Sequence, residues 1–497
     1  MSTKAVPAGR VGSDQFQGND KILIGIILGV LAFWLFAQTT LNIAPVMADD
    51  LGVGTNVMNI AVSITALFSG IFIVVIGGLA DRVGRVRMVQ WGFVLSMAGS
   101  LLVGFAPAGA LAEPFLMVGR ILQGLSGAFI MPASLALIKA YWDGEGRQRA
   151  ISLWSMGSWG GSGFAALFGG FMAQNVGWRW IFFAAAVISL IGMLMVRGTP
   201  ESKAQTSGKY KFDTAGVLTF MVMMVGLQVV LTQGGNFGWL SPITLGILAV
   251  SLIFGFLFVR IELRNPDGFV DFGLFKNMTY TGATISNFLL NATAGILIVA
   301  MSLVQLGGDL TAQQAGLLTI GYAIAIVAFI RVGEKLLQRF GPRKPMIWGA
   351  MIVGVAIILL MGTNMMLGTY NILVIVAFSL FGLGLGFYAT PSTDAALSAL
   401  PEDKAGSGSG IYKMASSLGA SFGVAISATI FTTFAADGGS VQWLDGVISY
   451  LGRQDNVAVR EAALYAFGVN LLMTVAAIVS VMLTIPKTRS GAADDAG

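Results

Sequence analysis

The chain has 497 residues, of which 56% are hydrophobic and 11% charged, with a mean hydropathy of +0.80 and a net charge of +5. Soluble domains run roughly 45–50% apolar and about 25% charged, so both an ordinary cytosolic fold and a disordered chain are excluded. The absence of Cys and His removes disulfides, thiolate catalysis, the usual imidazole proton relay and the commonest metal ligands.

A bilayer core of about 30 Å needs about 20 apolar residues per helix. Fourteen stretches reach that length: 22–46, 57–79, 88–106, 114–141, 150–173, 180–197, 215–231, 243–261, 280–306, 311–330, 345–362, 371–398, 408–432 and 464–485, designated segments 1–14. Their runs are continuous rather than alternating, which excludes transmembrane strands. The predicted fold is an all-α polytopic membrane protein.

Of the 29 Lys and Arg residues, 25 fall in the tails and in every second connection, among them Arg82, Arg85, Lys139, Arg147, Arg264, Arg339 and Lys404. Connections rich in Lys and Arg stay in the cytoplasm. Both termini are therefore expected there, as an even number of spans requires.

Residues 77–91, GGLADRVGRVRMVQW, align without gaps to residues 334–348, EKLLQRFGPRKPMIW. Arg82 meets Arg339, Gly84 meets Gly341 and Trp91 meets Trp348, at an offset of 257 residues. The same offset carries the start of segment 1 onto segment 9 and that of segment 5 onto segment 13. Two copies of a six-helix unit are expected, 22–197 and 280–485, joined by a linker, 198–279, that holds segments 7 and 8. The tails 1–21 and 486–497 flank them. Six-span repeats with the pathway between them are a transporter design.

GGLADRVGRVRM resembles the loop signature of the major facilitator superfamily, and RILQGLSGAFIMP, from Arg120, is similar to its Arg-containing fourth-span motif. Fourteen spans, with WRWIFF opening segment 6, resemble its drug:proton antiporter branch. ITALFSG, WSMGSWGGSG, YTGATISNFLLN, IRVGEKLLQ, GLGLGFYATPSTD and GIYKMASSLG look like the quinolone and multidrug exporters of Gram-positive bacteria. The resemblance implies proton-coupled export and a coupling role for Arg120. Two departures stand out. Segment 5 reads GSGFAALFGG and lacks the proline of the antiporter pattern GxxxGPxxGG. Segment 1 offers Gln38 and Asn42 where many of these antiporters have an Asp.

Taken in chain order, Trp34 in segment 1 either contributes to an adaptable drug surface or packs. At the end of segment 2, Gly77 and Gly78 permit close helix approach. Asp81 is placed to face the N-terminus of a helix in the other copy near Gly408–Lys413, a charge–dipole contact of up to about 2 kcal/mol when partly buried. Gly77, Gly78, Asp81, Arg82, Gly84 and Arg85 are thus the candidate gate, the alternative being a polar turn that only sets topology. Glu113, at the outer mouth of segment 4, is a proton-entry carboxylate or a solvated loop acid. Arg120 is an intramembrane charge and functional by default, or else a structural residue satisfied by carbonyls or Gln123. Asn287 and Asn291 share a face of segment 9 and either line a cavity or bond a neighbouring helix. Asp394 in segment 12 and Lys413 in segment 13 lie at similar depth and could pair, as a hairpin bridge or a protonation switch.

Arg120, Asp394, Lys413 and Glu113 are therefore the candidate coupling residues. Trp34, Gln38, Asn42, Gln123, Asn287, Asn291 and Tyr388 are the candidate cavity residues. A cavity whose one deep charge is Arg120 is expected to favour zwitterionic or neutral drugs over permanent cations, since an unpaired cation leaves water at high cost. The expected partners are a small-molecule drug, protons and the lipid bilayer, with no nucleic acid, cofactor or metal, for a monomer in the bacterial cytoplasmic membrane. Without Cys, His or a P-loop Lys an enzyme is not expected. The alternatives are an exporter of an endogenous lipid or metabolite, and a non-transporting sensor on the same fold.

Overall fold

The structure is a computed structural model and describes residues 17–37, 39–203, 213–265, 268, 270–310, 312–436 and 449–487; among them it is helical, with no strand. A backbone in hydrocarbon has to satisfy its N–H and C=O groups within its own segment, which selects helices. The helices overrun the apolar stretches into polar sequence: segment 2 occupies Thr55–Val83, segment 4 Ala112–Tyr141, segment 12 Leu367–Ser398 and segment 13 Ala405–Ala436. On length and composition, the described residues give twelve helices able to cross a membrane. Segment 7, Thr214–Phe237, is apolar over the shorter stretch Thr214–Val230. Segment 5 is composite: Gly144–Ser155, a π-helical turn Met156–Gly160, then Gly161–Asn175.

Segment 1 is broken as well, Asp20–Leu31 passing through a π-helical turn Ala32–Ala37 before Thr40–Leu51. Segment 9 runs as Met278–Ala292 and then Gly295–Ser302, followed by a π-helical turn Leu303–Gly307. Under the 257-residue offset Ala37 corresponds to Ala294, so the two interruptions coincide. Wide turns leave carbonyls without their usual helical donors and open them to side chains.

The packing order repeats. Segments 2 and 3 pack on segment 4, segment 3 on 6, and segment 1 on 6; in the later half 10 and 11 pack on 12, 11 on 14, and 9 on 14. The halves meet through segment 13 against 2 and 4, and through segment 5 against 10 and 12. Segments 7 and 8 pair with each other, and segment 7 also touches 2 and 13. Segment 8, Pro242–Glu262, exposes Leu252, Ile253 and Phe256.

Candidate functional site

The polar residues of interest gather where the halves meet on the face that carries the basic loops. Asp81 closes segment 2 there, with 3% exposure. Its carboxylate accepts from Gly406 N at 2.9 and 2.8 Å and from Ser407 N at 3.0 Å. These are donors of the first turn of Ala405–Ala436, which have no partner within their own helix. A carboxylate there gains both hydrogen bonds and the favourable end of the helix dipole. The contact lies two residues before the stretch near Gly408–Lys413 expected from the sequence.

Arg85 completes the contact. Its guanidinium donates to Asp81 Oδ1 at 3.0 and 2.8 Å, to the carbonyl of Glu402 at 2.8 Å and to Ser202 Oγ at 3.0 Å. Glu201 in turn accepts from the backbone of Val86 at 2.8 Å and Arg87 at 3.1 Å, capping the helix that starts at Arg85. Gly84 makes the corner at φ +134°, a conformation that favours glycine, and a Cβ there would lie 2.4 Å from the Glu201 carboxyl carbon. Gly77 is equally constrained, since its Cβ would meet the Gly406 carbonyl oxygen at 2.4 Å. Gly78 is not, its nearest neighbour being Ser407 Cβ at 3.9 Å. Arg82 is half-buried.

Two basic residues of the first copy grip the same region of the second from the other end. Lys139 donates to the carbonyls of Leu397 and Leu400, at the C-terminus of Leu367–Ser398, where a cation suits the helix dipole. Arg147 donates to Ser398 Oγ at 3.0 Å and pairs with Asp394 at 3.5 Å. The expected Asp394–Lys413 pair does not form. Helix Gly144–Ser155 packs against Leu367–Ser398 and brings Arg147 to Asp394, while Lys413 sits 4.7 Å from the ring centroid of Trp154. Sequence reasoning missed Lys139, Arg147, Glu201 and Ser202. The first two were visible only as topology signals, because their partners lie about 250 residues away, and nothing local marks the other two.

Arg120 is fully buried. It donates to the carbonyls of Ala37 at 2.8 Å and Ala61 at 3.0 Å and to Gln123 Oε1 at 2.7 Å, and its own carbonyl accepts from Thr65. Gln123 continues to Ser100 at 3.1 Å. One guanidinium thus ties segments 1, 2 and 4 together, using a carbonyl at the end of the π-helical turn in segment 1.

In the second copy Asn287 donates to the carbonyl of Tyr412 at 3.0 Å and to Ser416 at 2.6 Å, and Asn291 folds back onto Asn287 at 2.7 and 2.9 Å. Of the two alternatives for Asn287, the neighbouring helix is its partner. Tyr388 is buried among hydroxyls, 2.6 Å from Ser286 and 3.0 Å from Ser392, which reaches Tyr412 at 2.9 Å. Trp34 is half-buried and edge-on to Phe33. Glu113 is exposed. Gln38 and the side chain of Asn42 lie outside the described residues. On the opposite face a hydrogen bond from Arg179 holds the Asp50 carboxyl below its usual range, with Trp178 Nε1 also donating at 3.0 Å. Among the described residues no group of three acidic or thiol ligands could hold a metal.

These contacts join helices before residue 198 to helices after residue 279 on one face of the molecule. The family described as Major Facilitator Superfamily matches twice, over residues 22–286 and 283–496. The chain is 44% identical over 474 residues to the quinolone resistance protein NorB of Staphylococcus aureus strain MRSA252, covering 95% of this chain and 97% of that one. It is equally similar, over 476 residues, to NorB of strain COL. Among solved structures, the proton:xylose symporter XylE superimposes with a TM-score of 0.63 at 15% identity, covering 94% of this chain and 96% of that one, a likeness of fold. The chain belongs to the major facilitator superfamily and is a multi-pass membrane transporter rather than an enzyme.

Proposed function

We propose that this protein is a proton-coupled exporter of amphipathic drugs, quinolone-like compounds in particular, working by alternating access. The observation that carries the mechanism is the Asp81 contact. A carboxylate of one copy holds the first turn of a helix in the other, so the halves cannot part on this face without breaking it. The cargo class rests on likeness to the quinolone resistance proteins along nearly the whole chain. In this reading the protein is a monomer in the bacterial cytoplasmic membrane. Its fourteen spans include composite segment 5 and segment 7, and the basic face and both termini are cytoplasmic. Two six-helix units, 22–197 and 280–485, rock about a pathway between them, with segments 7 and 8 as a peripheral linker.

Asp394 is the carboxylate best placed to couple protons to this motion. Protonation removes its charge, releases Arg147 and loosens segment 5 from segment 12. Arg120 acts upstream of it by holding segments 1, 2 and 4 as one body. Purified protein in proteoliposomes with an imposed pH gradient tests the function. A quinolone should be transported against its gradient, and a protonophore should abolish the movement. Transport indifferent to the pH gradient overturns the coupling, and no quinolone transport overturns the cargo.

A further inference from the structure

We propose that Lys413 is the receptor for a carboxylate on the transported molecule, and that Trp154 occupies its place while the basic-loop face is shut. This rests on the exporter reading above. Lys413 belongs to segment 13 in the second copy and is 3% exposed; Trp154 belongs to segment 5 in the first and is fully buried. The ammonium lies 4.7 Å from the indole centroid. Among the described residues it makes no ion pair and donates no hydrogen bond. Asp81 and Asp394, the buried carboxylates of the contact described above, are committed elsewhere, Asp81 to Gly406, Ser407 and Arg85, and Asp394 to Arg147. The indole is fixed in turn, its Nε1 donating to Ser134 Oγ at 2.9 Å.

An ammonium has three donors and, once buried, needs acceptors for them. A ring face offsets part of that cost but supplies no acceptor. Charge and ring lie on opposite halves, so opening this face separates them. Lys413 then loses its ring and stands bare beside the pathway, and Trp154 exposes a flat apolar surface. The molecule that satisfies both is an aromatic acid or zwitterion. Its carboxylate takes charge-assisted hydrogen bonds from Lys413, and its ring stacks on Trp154. Arg120 is less well placed for this purpose, since Ala37, Ala61 and Gln123 within the first copy hold its Nε and Nη1 and leave Nη2 alone without a partner.

The test compares a fluoroquinolone with its methyl ester, which keeps the rings and loses the carboxylate. Binding is measured on the full chain in nanodiscs, and export separately in proteoliposomes. Lys413→Met should weaken acid binding at least about tenfold and leave the ester within about twofold, with Lys413→Arg retaining the acid. In the unaltered protein, benzoate should displace the quinolone and benzyl alcohol should not, which tests the site even if Lys413→Met fails to assemble. Equal loss of acid and ester, retention of acid affinity by Lys413→Met, or equal competition by the two benzene derivatives overturns the proposal. Binding that follows Lys413 without any export would sink the exporter reading and leave the site. Export that ignores Lys413 would do the reverse.

Discussion

Asp81 accepts hydrogen bonds from two backbone amides of the opposing half and from Arg85, and this full satisfaction makes it sensitive to a neutral substitution. Asp81→Asn keeps the volume, yet loses the charge at the helix terminus and turns part of its head group into a donor facing donors. Hydrogen bonds to charged groups contribute about 1.5–3 kcal/mol each, so the closed state should lose at least about tenfold in population. Quinolone transport should fall while expression stays normal; an unchanged rate would reduce the residue to a topology signal. That Asp81 faces a helix N-terminus was legible in the sequence, because the repeat and the loop charge together place it. Asp394 was legible as a buried acid but not by its partner. Depth along two helices can be read from a sequence, whereas rotation about them cannot, and rotation assigns it to Arg147 instead of Lys413. Arg120 was legible as an intramembrane cation. Its hydrogen bond to the Ala37 carbonyl depends on a π-helical turn in segment 1 that hydrophobic runs do not report.

At the scale of elements, the hairpin between Leu367–Ser398 and Ala405–Ala436 is held at both helix ends, by Lys139 at the outgoing carbonyls and by Asp81 at the incoming amides. Closeness is set by a glycine pair, the Cβ of either Gly77 or Gly406 falling within 2.4 Å of the other's carbonyl oxygen. Gly406→Val should wedge this contact apart and abolish transport, whereas Gly78→Ala, with 3.9 Å of room, should transport at near the normal rate. Measured uptake for the two variants distinguishes them. Equal tolerance would mean that the helices do not come this close in the working cycle.

Across the whole molecule, the repeat visible in residues 77–91 and 334–348 anticipates the repeated packing order, because equal apolar faces find equal partners. The closed face was not legible, since a chain that alternates between states has one sequence for both. A disulfide can report it. Gly78 and Ser407 offer a Cβ separation of 3.9 Å, inside the range of about 3.5–4.5 Å that a disulfide needs, and the chain contains no other cysteine. The double variant Gly78→Cys/Ser407→Cys should cross-link on oxidation and lose transport, and reduction should restore it. Failure to cross-link in membranes, or transport undiminished by the cross-link, would rule out this contact as a gate.

The two sides of the lock differ in what they recognise. Asp81, Arg85 and Lys139 act through their side chains, yet on residues 397–407 they mostly address main-chain groups: the amides of Gly406 and Ser407 and the carbonyls of Leu397, Leu400 and Glu402. Every residue type supplies the carbonyls, and every type except proline the amides. The hairpin is therefore free to drift during evolution wherever its helix ends persist, Gly406 stays small and Ser398 and Asp394 remain for Arg147, while the residues that grip it are not. The loop can be recoloured without retuning the transporter.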